Sequence, residues 1–285
     1  MNASRPRVLL TNDDGLRAEG LAALAEVLRG FAEVLVAAPR DESSGAGHAI
    51  TLHGELRAEA VEFEGASEAY VVDGTPADCA KLAIRALWAD EPPAMCFSGI
   101  NNGPNVGVNV LYSGTVAAAF EAAVNGVPGV AVSRERGGAI TFPEAAEVVA
   151  PLLREVVRRH AMPASARRDT CDEAIPPWHV LNVNVPNRPA AEIGGVRLAR
   201  QGVSGFDEWY VEEGAGDASS ATRRFRLEGE MRVRDRDGLS DVEALAEGFV
   251  SVTPLALDLT SRTLDDPGGL WDWLGHVPAR PSPGY

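Results

Sequence analysis

Val8-Leu9-Leu10-Thr11-Asn12-Asp13-Asp14-Gly15 is an apolar run that stops abruptly at an asparagine, two adjacent acids and a glycine. Read as a strand, it delivers two carboxylates to its own C-terminal tip. Residues 18–29 follow with Leu21, Leu24, Ala25 and Leu28 at helical spacing, and residues 34–37 form a second short apolar run. Strand, helix and strand in that order predict a parallel sheet and an α/β fold. Ligands of such sheets bind in the crevice beyond the carboxyl ends of the strands, so Asp13 and Asp14 lie on the edge where a site forms. Two ionised carboxylates this close repel each other unless a cation lies between them. A hard divalent ion such as Mg²⁺ or Mn²⁺ suits carboxylate and carbonyl oxygens.

Composition narrows the partners. The chain of 285 residues is 45% hydrophobic and 24% charged, the profile of a globular protein. Lys and Arg total 26 against 41 Asp and Glu, a net charge of −15 with no basic stripe, which argues against a duplex nucleic-acid binder. Residues 1–7 are short and polar, and the apolar run after them is broken at Thr11, so neither a signal peptide nor a membrane span is expected and the expected compartment is the cytoplasm. Cys79, Cys96 and Cys171 are odd in number and lack C-x-x-C spacing, which predicts neither a disulfide framework nor a zinc site.

Strand two ends at Ala38-Pro39 and enters residues 40–48, R-D-E-S-S-G-A-G-H, a polar loop on the same edge. Gly45-Ala46-Gly47 starts like a dinucleotide fingerprint but lacks its third glycine and runs into the strand-like residues 49–52, so a dinucleotide site is not expected. Residues 53–65 read as a hairpin or excursion, and residues 69–72 as a strand. Thr75 as N-cap, Pro76 at the first helical position and Asp78 then start a helix over residues 77–88. The strand at residues 94–97 runs into residues 98–115, S-G-I-N-N-G-P-N-V-G-V-N-V-L-Y-S-G-T, whose asparagines and glycines predict irregular backbone. Ser113-Gly114-Thr115 opens an alanine-rich helix over residues 116–124. Amides, hydroxyls and the positive end of the helix dipole make that terminus a phosphate cradle.

A strand at residues 129–133, a helix at 144–159 and a strand at 179–185 complete the α/β pattern. From Gly194 the texture changes. Residues 196–199, 225–233 and 248–255 read as strands with no helical pattern between them, residues 207–220 and 235–239 as polar loops, and the whole as an antiparallel appendage. Residues 265–276 carry Leu270, Trp271, Trp273 and Leu274 on a short terminal helix that needs a partner surface. The expected domains are a Rossmann-like core over residues 1–190 and a C-terminal extension over 191–285.

The strand tips thus gather Asp13, Asp14, Ser43 or Ser44, and Asn101 or Asn102, beside anion-binding turns at Gly74 to Pro76 and Ser113 to Thr115. Oxygen ligands from three loops suit an octahedral, partly hydrated ion, which polarises a phosphoryl oxygen and activates water. Hydrolysis of a phosphate monoester is the expected reaction. His48 is a candidate acid for the leaving oxygen, although sequence alone does not bring it within reach.

Taken together, T-N-D-D-G at residues 11–15, A-P-R-D-E-S-S-G-A-G-H at 38–48, G-T-P-A-D-C at 74–79, S-G-I-N-N-G-P-N at 98–105 and Y-S-G-T-V-A-A-A at 112–119 resemble the SurE family of metal-dependent 5′-nucleotidases. N-V-N-V-P at 182–186 and G-F-V-S-V-T-P-L at 248–255 extend the likeness over residues 8–255. The resemblance implies a doubly wound, mostly parallel sheet with a smaller antiparallel C-terminal extension that exchanges elements between subunits of a homodimer or homotetramer. It implies one Mg²⁺ or Mn²⁺ per subunit held by Asp13, Asp14, Ser44 and Asn101, with Asp13 and Asp14 catalytic. It places phosphate contacts on Asn105, Ser113, Gly114 and Thr115, with Gly74 and Thr75 nearby. The implied substrate is a nucleoside 5′-monophosphate, some members also taking 3′-nucleotides or short polyphosphate. Two departures stand out: Ser43 where an arginine is expected, which bears on recognition of substrate charge, and the loop at residues 201–210, which bears on base specificity and subunit contacts.

A second class competes, a non-catalytic nucleotide- or phosphate-binding module using the same cradle. An aspartyl-phosphate phosphatase is disfavoured, because its two acids stand two residues apart and Asp13 and Asp14 are adjacent.

Overall fold

In a computed structural model of the chain, residues 5–43, 45–160, 175–176, 178–213 and 223–260 are described. The chain falls into two units, Met1–Leu255 and Ala256–Tyr285, the second described over residues 256–260 alone. The helix expected at residues 265–276, with Trp271 and Trp273, and Cys171 lie outside the described residues.

A nine-stranded sheet forms the first unit. In chain order its strands are β1 (Arg7–Thr11), β2 (Glu33–Pro39), β3 (Ala58–Ala60), β4 (Glu68–Val72), β5 (Met95–Asn102), β6 (Gly129–Arg134), β7 (His179–Val185), β8 (Val196–Leu198) and, after a separate hairpin of β9 (Gly205–Glu213) and β10 (Arg224–Arg232), β11 (Val250–Ala256). Their spatial order is β3-β4-β2-β1-β5-β6-β7-β11-β8. From β4 through β7 every pairing is parallel, as is β11 with β8, while β3 runs antiparallel to β4 at the edge.

Helices cover both faces because the central strands are apolar on both sides. Val8 and Leu10 point toward α1 (Glu19–Leu28) and α4 (Phe142–His160), where they pack with Leu21, Leu24, Leu28, Val149 and Leu153. Leu9 points the other way, toward α2 (Pro76–Leu82) and α3 (Gly114–Val124), and packs with Ala80, Ala118 and Ala122. Each such aliphatic side chain contributes about 1.5–3 kcal/mol on burial. The alanines let α3 lie close to the sheet. At Gly129 a Cβ would stand 2.3 Å from the Ala119 carbonyl oxygen, so only glycine permits that approach. The doubly wound α/β fold expected from the sequence is the fold observed.

Strand order reverses beside β1, with β2 on one flank and β5 on the other, so a crevice opens where β1 and β5 end. Thr11 pairs with Ser98 at that point.

Several local expectations are corrected. Residues 98–102 continue β5 rather than leaving it, because after a register shift between Ser98 and Asn101 the chain pairs again with Ser133 and Arg134. Residues 107–112 form a 3₁₀ helix. Residues 49–52 form no strand, since Thr51 is bonded to Asp78 and the Ala49 carbonyl to Thr75. Residues 205–213, expected in part as loop, are strand β9, paired antiparallel with β10. The strands at 196–198 and 250–256 join the main sheet rather than an appendage. A helix, α5 (Asp241–Ala246), stands before β11, capped reciprocally by Ser240 and Glu243. Cys79 and Cys96 are free, buried thiols.

Candidate active site

Asp13 and Asp14 leave β1 at the switch point. Asp13 is buried and Asp14 half-buried. Burial raises the Asp13 carboxyl above its ordinary range, an effect that the Thr115 hydroxyl partly offsets. Burial, and then the charge of Asp13, push Asp14 up to about 6; the Asn102 amide and the charge of Arg136 pull it back in part. Glu42 adds a further negative charge near both. The pair is thus an anionic centre short of positive charge.

The N-terminus of α3 meets this centre directly. Thr115 Oγ1 donates to Asp13 Oδ1 at 2.5 Å, and the Thr115 amide also favours the ionised carboxylate. Ser113 Oγ caps the helix by accepting from the Val116 amide at 3.1 Å. At Gly114 a Cβ would stand 2.9 Å from the Asp13 Cβ and 3.2 Å from Pro76 Cγ, so the absent side chain is what lets the acid, the helix and the Gly74–Pro76 turn converge. Of the expected phosphate cradle, the Thr115 hydroxyl donates to the acid, while Ser113 Oγ accepts from the helix and keeps its own hydroxyl hydrogen, which with the Gly114 amide and the helix dipole remains for a ligand.

Asn101 lies at the tip of β5, its Nδ2 donating to the Gly103 carbonyl at 2.8 Å. That bond orients the amide and leaves Oδ1 as the atom for a cation. Asn105 is buried, and its backbone and one Nδ2 hydrogen are held by neighbours while the second Nδ2 hydrogen remains for a ligand. Its amide donates to Asn184 Oδ1 at 2.8 Å, its Nδ2 to Ser133 Oγ at 2.8 Å, and its carbonyl accepts from Asn182 Nδ2 at 2.7 Å. Asn109, by contrast, has a buried Nδ2 with no partner among the described residues.

The loop at residues 40–48 is fastened to the acids: the Ser43 amide donates to the Asp13 carbonyl at 2.7 Å. Ser44, the expected ligand, lies outside the described residues. Thr75 spends its donors on structure, its amide on Asp78 Oδ2 within a capping box and its hydroxyl on the Ala49 carbonyl. His48 turns away from the acids. Its Nε2 lies 2.9 Å from Glu121 Oε2, on α3 about two turns from Thr115, where Lys81 Nζ also donates to Glu121 at 2.8 Å.

Among the described residues no three His, Cys, Asp or Glu side chains gather as a metal site. Two carboxylates and an amide oxygen remain, a hard-oxygen set that fits an ion retaining several waters. Sequence reasoning missed the support. Asn182 and Asn184 lie in the N-V-N-V-P segment, and their alternation along β7 is the signal that places both amides on one face. Arg136 was also missed; its Nε donates to the Asn102 carbonyl at 3.0 Å.

A doubly wound sheet with an acid pair seated on a helix N-terminus at the switch point defines an α/β protein with its acids at the edge where ligands of such sheets bind. The chain belongs to the SurE family: the family described as Survival protein SurE matches residues 8–208. It is 40% identical over 257 residues to the 5′-nucleotidase SurE of Alkaliphilus metalliredigens, covering 89% of this chain and 94% of that protein. To the 5′-nucleotidase SurE of Syntrophobacter fumaroxidans it is 42% identical over 269 residues, 93% and 99% of the two chains. The crystal structure of the SurE protein from Aquifex aeolicus superimposes with a TM-score of 0.75 at 34% identity, covering 92% of this chain and 98% of that one.

Proposed function

We propose that Asp13 and Asp14, with the Asn101 amide oxygen, hold one divalent cation at the switch point, and that this site carries the nucleotidase activity. The chain is a 5′-nucleotidase, releasing phosphate from nucleoside 5′-monophosphates. The observation that carries the site assignment is the bond from Thr115 to Asp13, which joins the acid pair to an anion-binding helix terminus.

A divalent ion in that place supplies Lewis-acid polarisation of the phosphoryl group and activation of water. The chain's own residues do the rest. Asp13 is fixed by Thr115 and by the Ser43 amide on its carbonyl. The Gly114 amide and the α3 dipole face the charge of the phosphoryl oxygens, and Asn105 is pre-set to receive one of them. Ser44 belongs to the proposed ligand set on resemblance alone. Mg²⁺ or Mn²⁺, one per subunit, is the proposed ion.

The binding-only alternative loses ground to relatives named as nucleotidases over nearly their whole length. Among the described residues no helix is long and apolar enough to cross a membrane; a cytoplasmic location, and a homodimer or homotetramer built through residues 191–285, complete the proposal. The experiment is phosphate release from AMP with Mn²⁺ or Mg²⁺, with and without EDTA. Turnover abolished by EDTA and restored by the metal is expected; turnover indifferent to EDTA would refute the metal site.

A further inference from the structure

We propose that Arg136 is a substrate-recognition residue, its guanidinium taking a phosphoryl oxygen of the nucleotide beside the Asp13–Asp14 pair. This rests on the site proposed above and extends it to the way an acidic protein captures an anion.

Arg136 follows β6 on a loop that is built rather than loose. The guanidinium of buried Arg134 donates through Nη1 to the carbonyls of Glu135, Gly137 and Ile140, at 3.1 to 3.3 Å, and stacks on the Phe142 ring at 4.1 Å. An internal cation therefore folds the loop around itself. Asn187 locks it from outside, accepting from the Ala139 amide at 3.0 Å and donating its own amide to Glu135 at 2.9 Å.

That loop is stitched to the β5 tip twice. The Gly103 amide donates to the Arg134 carbonyl at 3.0 Å, and Arg136 Nε donates to the Asn102 carbonyl at 3.0 Å. A Cβ on Gly103 would stand 3.2 Å from Arg136 Nε, so the guanidinium lies against the turn that carries Asn101. Among the described residues Arg136 closes no salt bridge, and its two terminal amino groups remain for a ligand.

The charge balance explains the need. The site mouth carries Asp13, Asp14 and Glu42 on a chain of net charge −15. A phosphate dianion approaching it is repelled until a cation compensates, and a guanidinium presents parallel donors that match phosphate oxygens.

The test compares full-length wild type, Arg136→Gln and Arg136→Lys, with Mn²⁺ saturating. Readouts are kcat and KM for AMP, and inorganic phosphate binding by calorimetry. Arg136→Gln is expected to raise KM and weaken phosphate binding about tenfold, with kcat within about twofold of wild type, because one contact common to ground and transition states is lost. Arg136→Lys, keeping the charge, is expected to recover part of the affinity. Unchanged KM and phosphate affinity in Arg136→Gln would overturn the inference. So would a fall in kcat and Mn²⁺ affinity with phosphate binding intact, the pattern of a merely structural role. If wild type binds phosphate and never turns over AMP, the nucleotidase site fails, while weaker binding by Arg136→Gln still upholds the recognition role.

Discussion

The Thr115 hydroxyl donates to Asp13 Oδ1 at 2.5 Å, joining the first turn of α3 to the tip of β1. One bond therefore couples the acid proposed to hold the cation to the helix proposed to meet the phosphate. Thr115→Val keeps the shape and removes the donor, leaving a buried carboxylate less satisfied at a cost of about 1–3 kcal/mol. We expect kcat/KM for AMP to fall about tenfold or more, with Thr115→Ser close to wild type. Equal kcat/KM in the valine variant would mean that the bond is idle.

Asp14 sets a pH dependence whose sign follows from its environment. Burial, then the charge of Asp13, raise its carboxyl from 3.8 to about 6. Ionising it therefore costs stability in the folded, ion-free protein. The cost is absent below pH 3.8, grows between 3.8 and 6, and is complete above 6. Solvent screening of this partly exposed group leaves about 1 kcal/mol, or roughly 3 °C in Tm. Thermal melts should show Mn²⁺ raising Tm at pH 7.5 and leaving it unchanged at pH 4. Asp14→Asn should melt higher than wild type without metal at pH 7.5, lose the Mn²⁺ response and release less than about 1% of the phosphate. A metal response that persists at pH 4 would place the ion elsewhere.

How much of this was legible follows from the residues themselves. The β1 acids could be read because strand, turn and acid are all local: an apolar run, then N-D-D-G. The α3 terminus could be read for the same reason. What sequence could not show was how the donors are shared. Ser113, Gly114 and Thr115 read alike as phosphate contacts, yet packing against β1 directs the Thr115 hydroxyl to Asp13, while Ser113 Oγ accepts from the helix and keeps its own donor. Residues 98–102 read as irregular because asparagine and glycine favour turns, and pairing with β6 overrode that preference. Arg136 and Asn184 act across gaps of 34 and 79 residues, which no local pattern reports.

Glu121 gives a stability prediction separate from chemistry. Burial alone would raise its carboxyl, but hydrogen bonds from His48, then Lys81 and Asn125, outweigh burial and hold it near 2. The ionised form is favoured in the folded state, so its stabilisation is present above about pH 4.5 and is lost as pH falls toward 2. Glu121→Gln should therefore lower the urea midpoint clearly at pH 7 and much less near pH 3. Through Glu121, His48 fastens the residues 45–51 loop to α3 and Lys81 ties α2 to the same carboxylate, so His48→Ala should lower stability and leave the shape of the pH–rate profile unchanged. A lost acidic or basic limb in His48→Ala would give His48 a part in proton transfer.

The last prediction concerns the Asn105 segment, whose backbone is held by side chains of a distant strand. Asn182 Nδ2 and Asn184 Nδ2 both donate to the Asn105 carbonyl, at 2.7 and 3.3 Å, while Asn184 Oδ1 accepts from the Asn105 amide. Removing Asn182 alone leaves the carbonyl its second donor, and removing Asn184 leaves it the first. Removing both orphans a buried carbonyl, which costs about 1–3 kcal/mol beyond the lost bonds. Urea unfolding of Asn182→Ala, Asn184→Ala and the double variant should therefore show a double-variant loss larger than the sum of the singles. KM for AMP should rise with it, because Asn105, the proposed phosphate contact, loses the frame that holds it. Additive losses would mean that the two asparagines act independently and that the segment is positioned by something other than its carbonyl.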